Sequence, residues 1–240
     1  MKKLLMQITV YTVGDRMVLE FFYNKKIKRL INSRVDSKEK IWKIILETSK
    51  LILTGNLVSK KNAEGKLIID TEFRRIFFSQ KLPSAENKHF SFQFPFKIEQ
   101  NANNYTLKTF SQATDIQSAH IQVILSLLDK GILSESRGVY GIQLEFCELV
   151  ENTLEELFLS KKLVEDLDDI LLELFLFEPS YIRFDEDKKN ANGKIHPLFH
   201  FDIFYSQQTT LKLGLSKLYD LDYFVKFLCE KEKECSFISE

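Results

Sequence analysis

Between Tyr181 and Leu215 the chain alternates apolar and polar side chains in three separate runs, and few architectures satisfy that pattern three times in succession. The runs are Tyr181-Ile182-Arg183-Phe184-Asp185, then His196-Pro197-Leu198-Phe199-His200-Phe201-Asp202-Ile203-Phe204-Tyr205, then Thr209-Thr210-Leu211-Lys212-Leu213-Gly214-Leu215. Asn190-Ala191-Asn192-Gly193 and Ser206-Gln207-Gln208 separate them with turn chemistry. Successive side chains of an extended strand point to opposite faces, so parity assigns each residue a side. One face receives Ile182, Phe184, Phe199, Phe201, Ile203, Leu211, Leu213 and Leu215; the other receives Arg183, Asp185, His200, Asp202, Thr210 and Lys212. The pattern predicts a three-stranded antiparallel sheet closed by a helix over about 220–231. Its apolar face should be covered by an upstream helical pair and by Phe224, Phe227 and Leu228, with Phe199, Phe201, Ile203, Leu211 and Leu213 buried.

The polar face admits two readings. In one it is the solvent side of the sheet, dressed with ion pairs that contribute roughly a few tenths of a kcal/mol each. In the other, His200, Asp202 and Asp185 form an acid–base or metal constellation, with Arg183 and Lys212 placed against an anionic group. A His and an Asp two residues apart share a strand face and can bind one divalent ion, which is the candidate cofactor. His196 has the parity of His200 and is a further candidate ligand, although Pro197 puts it at a strand start.

The remainder of the chain reads as α+β with antiparallel sheets, because its strands arrive as hairpins rather than as βαβ units. Residues 4–23 form two β-rich runs about Gly14-Asp15, followed by the cationic cluster Lys25-Lys26-Ile27-Lys28-Arg29, a solvated face or a phosphate grip. Asp36 with Glu39 predicts a capped helix start, and Gly55 its end; Ser37-Lys38-Glu39-Lys40 matches a bare Ser-x-x-Lys pattern but reads better as helix capping. A hairpin closed at Asn62–Gly65 should span 57–80, and Phe90, Phe92, Phe94 and Phe96 predict a strand with one buried face, at an edge or bulge because of Pro95. Segments 81–89 and 99–104 read as loops, Asp115 as the cap of a helix reaching Lys130, and 138–141 as a weak winged-helix fragment. Helices over 144–158 and 161–176 follow, the second with an acidic row at Glu165, Asp166, Asp168, Asp169 and Glu173. The division expected is a β-rich part over 1–112 and a helical and three-stranded part over 113–240, packed together or as a single compact domain.

Charge limits the partners. Thirty-four basic residues balance thirty-four acidic ones, so any nucleic-acid contact must be local rather than a general coating. Three cysteines without a Cys-x-x-Cys pair suit a reducing compartment. The amino-terminal Met1-Lys2-Lys3-Leu4-Leu5 is interrupted before it resembles a cleaved signal, and the apolar stretch 171–177 contains Glu173; no membrane contact and a cytoplasmic location are therefore expected. The chain carries no G-x-G-x-x-G, P-loop or G-x-S-x-G, which disfavours nucleotide-dependent and serine-hydrolase chemistry. It also lacks the strand signature of a standard restriction-type nuclease.

The Tyr181–Asp185 string, His196-Pro197-x-x-His200-x-x-Ile203, Lys212-Leu213-Gly214-Leu215 and Phe224-x-x-Phe227-Leu228 together resemble a bacterial domain family of unknown function. The resemblance covers roughly residues 179–228. Its members are small cytoplasmic proteins often encoded near mobile-element or phage-defence genes, and where they tend to carry a second His this chain has Asp202. The resemblance implies a setting more than a chemistry. The first reading is an effector or accessory component of a defence or toxin-like system, acting on or binding nucleic acid through the Arg183/Asp185/His196/His200/Asp202/Lys212 face. The alternative is a non-catalytic subunit whose aromatic strands dock a protein partner in a larger assembly.

Overall fold

A computed structural model describes residues 9–13, 16–33, 35–55, 63–81, 87–101, 104–133, 142–205 and 211–229. β1 (Thr9–Val13) and β2 (Arg16–Tyr23) pair antiparallel as expected. α1 (Lys25–Asn32) follows, and the Asn24 side chain accepts the amides of Lys26 and Ile27 at its start. Two of its cations face carboxylates, Lys26 with Glu47 at 2.7 Å and Lys28 with Glu64. α2 (Lys38–Thr54) begins at Ser37, whose hydroxyl accepts the Lys40 amide at 3.3 Å. The expected Asp36 cap is therefore displaced by one residue, and Ser37 is a capping serine. Gly55, at φ 61°, ends the helix in the left-handed conformation a C-terminal glycine supplies.

β3 (Gly65–Asp70) and β4 (Arg75–Lys81) form the next hairpin. Its turn lies at 71–74, inside the run read as continuous from Leu67 to Phe78; Gly65 opens a strand, and the expected hairpin closed at Asn62–Gly65 reaches into 56–62, outside the described residues. The Asp70 carboxylate accepts the amides of Glu72 and Phe73 at 3.1 and 3.0 Å and substitutes for the missing turn glycine. β5 (Asn87–Gln93) pairs with β4 on one side and with β9 (Ile182–Glu186) on the other. β10 (Phe199–Ile203) and the edge strand β11 (Leu211–Leu215) complete an antiparallel sheet ordered β1-β2-β3-β4-β5-β9-β10-β11. The three C-terminal strands thus extend the amino-terminal sheet, and backbone pairing is continuous across residue 112.

Pro95 separates β5 from a second sheet of β6 (Phe96–Asn101), β7 (Asn104–Thr109) and β8 (Asp115–Ile116). Most of the expected loop over 99–104 is therefore strand. Asp115 also lies in a strand, and α3 (Ser118–Asp129) starts instead at Gln117, whose amide bonds to His120 Nδ1 at 3.1 Å. The expected helical pair is present as α4 (Ile142–Glu156) and α5 (Leu163–Leu176); residues 138–141 lie outside the described ones. The architecture is α+β, with no helix among the described residues long and apolar enough to cross a membrane.

Register shows how the large sheet is covered. Cross-strand partners share a face, so Phe21, Leu67, Phe78, Phe90, Arg183, Asp202 and Lys212 form one row. The apolar members of that row belong to the main core, with Ile44 and Ile45 of α2 and Leu167 and Ile170 of α5. The opposite face carries Ile68, Phe77, Phe184 and Phe201 beneath α6 (Leu221–Leu228), which Asp220 caps through the Tyr223 amide at 2.8 Å. The apolar side of β9–β11 accordingly packs on α6, not on the α4–α5 pair, which serves the other face. Phe201 is buried, Phe199, Ile203 and Leu213 are half-buried, and Leu211 is 50% exposed. β11 is an edge strand, paired on one side only among the described residues.

β5 is buried on both faces, so alternating phenylalanines do not mark an open side there. His89 is enclosed beneath α6, its ring 5.8 Å from that of Phe184 and 6.4 Å from that of Phe224. Burial pushes its pKa down from 6.5 to about 4. The native state withholds a proton that the unfolded chain takes up, so stability is intact above pH 6.5 and is lost as pH falls toward 4. This residue should account for about 2–3 kcal/mol of acid destabilisation over that window. Urea denaturation at pH 7 and pH 4.5 should show the difference shrinking by that amount in His89→Leu; an unchanged difference would exclude His89 as the source.

Candidate metal and acid–base site

The site is built where β9, β10 and β11 run side by side. Register sets His200 opposite Asp185 and Gly214, and Asp202 opposite Arg183 and Lys212. Five of the expected residues, Arg183, Asp185, His200, Asp202 and Lys212, therefore converge on one face. That face is not the solvent side. His200 is fully buried and the Asp202 side chain is 4% exposed, because the polar row continues the row that holds Phe78 and Phe90 in the main core. Thr210 lies outside the described residues.

Arg183 is the hub. Its Nε lies 2.7 Å and its Nη2 2.5 Å from Asp185 Oδ2, and Nη2 also bonds Asp202 Oδ2. Burial opposes its charge, but Asp185 and then Asp202 outweigh that and raise the guanidinium above its usual value. Asp202 turns its other oxygen, Oδ1, to the Lys212 ammonium at 2.6 Å. Lys212 also lies 3.0 Å from His200 Nε2, while His200 Nδ1 is 2.9 Å from the Pro197 carbonyl oxygen. A carbonyl only accepts and an ammonium only donates. Nδ1 therefore carries the hydrogen, and the Nε2 lone pair points into the cluster.

Asp185, His200 and Asp202 each offer one ligand atom, and these atoms lie within 4.8 Å of one another, a group that can hold a metal ion. His200 Nε2 is 3.8 Å from Asp185 Oδ2 and 3.8 Å from Asp202 Oδ1. Donors sharing one ion at about 2.1 Å sit roughly 3–4 Å apart, so small side-chain adjustments suffice. The outer contacts needed to orient such ligands are in place: the Pro197 carbonyl on Nδ1, and Arg183 on both carboxylates.

His196 stands beside this group and outside it. Its ring meets that of His200 edge-on at 4.9 Å, and its Nε2 lies 3.1 Å from Asp187 Oδ2, an interaction that ties down the 187–198 connection. Lys88 was not anticipated. It is opposite Asp185 in register, half-buried, with no carboxylate within 4 Å of its ammonium among the described residues and the Phe90 ring 6.0 Å away. Burial first, and the charge of Arg183 second, push its pKa down to about 8. The signal was available: Lys88 shares the parity of Phe90 and Phe92, so it is a cation on an otherwise apolar strand face.

Two members of the acidic row of α5 have structural partners. Glu173 accepts the Ser111 amide at 3.1 Å, and Asp169 accepts the Thr114 hydroxyl at 2.5 Å. No protein-family model, curated protein or solved structure matches the chain.

Proposed function

We propose that the protein is a divalent-metal-dependent hydrolase of phosphodiesters acting on nucleic acid, an effector or accessory component of a bacterial defence or toxin-like system. The observation that carries this reading is the buried meeting of two carboxylates and an inward-facing imidazole, flanked by three cations from β5, β9 and β11. Asp185, His200 through Nε2, and Asp202 are the ligands. A metal ion there supplies a hydroxide at neutral pH and charge stabilisation at a phosphoryl oxygen. Arg183 fixes the direction of both carboxylates. Lys212, at the sheet edge, is the cation with room to meet a phosphate, and Lys88 adds positive potential behind Asp185.

The test is calorimetric titration with Mn2+ together with cleavage of labelled single- and double-stranded oligonucleotides. Wild type should bind Mn2+ and cleave only when it is present, and His200→Gln and Asp185→Asn should lose at least about 100-fold in rate. Failure of wild type to bind Mn2+ overturns the reading. So does full activity in a His200→Ala, Asp202→Ala double variant.

A second reading, the non-catalytic binding subunit, has one observation in its favour. Leu172, Phe175 and Leu176 are exposed at helical spacing on α5, beside exposed Phe110. Under that reading Leu172→Glu with Leu176→Glu abolishes assembly with a protein partner, while substitutions at His200 leave assembly intact.

A further inference from the structure

Two of the three ligand atoms of the metal-competent group are already engaged by one side chain. Lys212 Nζ lies 2.6 Å from Asp202 Oδ1 and 3.0 Å from His200 Nε2. A divalent ion using those atoms must stand where the ammonium stands. We infer that Lys212 is the resident cation of the site, and that metal enters by exchange: the ammonium swings out to the sheet edge as the ion takes its bonds. This rests on the metal-dependent reading above and deepens it into a regulated entry step.

Charge balance gives the reason. Asp185 and Asp202 are matched by Arg183 and Lys212, so these four charges already balance, and Lys88 adds positive potential behind Asp185. A dication added beside the Lys212 ammonium and the Arg183 guanidinium would set four positive charges against two negative ones inside a buried volume where repulsion is strong. With Lys212 displaced, Arg183 and the ion together exceed the two carboxylates by one charge. That single residual charge attracts an anionic group, and the departed ammonium waits at the rim to meet it.

Lys212 is also the member best able to leave. Its side chain is 35% exposed, against 14% for Arg183 and 4% for Asp202. It lies on β11, which has a strand partner on one side only among the described residues. Ion entry by this route also couples metal binding to substrate capture. Without the ion Lys212 is held by Asp202 and His200, while a loaded site presents its ammonium at the rim.

The experiment compares full-length wild type, Lys212→Met and Lys212→Arg by Mn2+ titration, melting with and without Mn2+, and labelling of Lys212 by an amine-reactive acetylating reagent read by mass spectrometry. Lys212→Met should bind Mn2+ at least about tenfold more tightly than wild type, since no cation has to be displaced. It should melt lower without the ion and gain more in melting temperature when it is added. Lys212→Arg, which keeps the charge, should bind no more tightly than wild type. Labelling of Lys212 in wild type should rise several-fold with Mn2+. Equal or weaker Mn2+ affinity in Lys212→Met, or labelling unmoved by a bound ion, overturns the exchange and leaves the metal reading standing. Absence of Mn2+ binding in wild type and Lys212→Met alike overturns both.

Discussion

Arg183→Met should destabilise the protein by about 3–5 kcal/mol, the usual consequence of stripping a buried ion pair of one partner. A single guanidinium bonds both Asp185 and Asp202, so its removal strands two carboxylates at once. Lys212 still reaches Asp202 but not Asp185. Arg183→Lys should recover only part of the loss, because an ammonium is a point charge and cannot fork between two acceptors. Urea denaturation at pH 7 checks both variants. A loss below about 1 kcal/mol would mean that water reaches the carboxylates, and the site would then be an ordinary solvated face.

Phe201→Ala should cost a similar amount, about 3–5 kcal/mol, through the cavity it opens beneath α6. The Phe201 ring stacks on Tyr219 at 5.8 Å and Phe227 at 5.5 Å, and approaches Phe224 at 5.9 Å and Phe184 at 6.2 Å. The aromatic packing of Tyr219, Phe224 and Phe227 converges on that one ring. Leu211→Ala, on the same face but at the exposed edge, should cost less than about 1 kcal/mol. Equal losses for the two would show that the edge strand is covered in solution.

Parity made the side of each residue legible. The alternation in 181–215 was enough to bring Arg183, Asp185, His200, Asp202 and Lys212 together, since any antiparallel pairing of those runs in this register does so. It was not enough to say what lies above each face. The charged face reads as a wet one in isolation, yet it adjoins Phe90 and Phe78 across β5 and β4, and that adjacency is set by a pairing between distant segments. The same gap hid His89 and Lys88, whose environments depend on β9 being their neighbour. The turn inside 67–78 was missed for a different reason. Asp70-Thr71-Glu72-Phe73 lacks glycine and proline, and a carboxylate accepting two amides makes the turn in their place. Asp115 looked like a helix cap because it is a good one. The two-residue strand it joins pairs with β7 and buries Ile116 in the main core.

The pairing of β5 with β9 joins Lys88 to Asp185, residues separated by almost a hundred positions along the chain. On a ribosome, strands β1 to β5 emerge and can pair among themselves long before β9 exists. During that interval the charged half of the cluster has not been synthesised, and the edge of β5 that will receive it is open. The polar cluster is thus absent through most of translation and is assembled only when the final strands dock. The cost falls on folding: closing so long a loop is slow, and an unpaired phenylalanine-rich strand edge is the state in which this chain is most prone to aggregate.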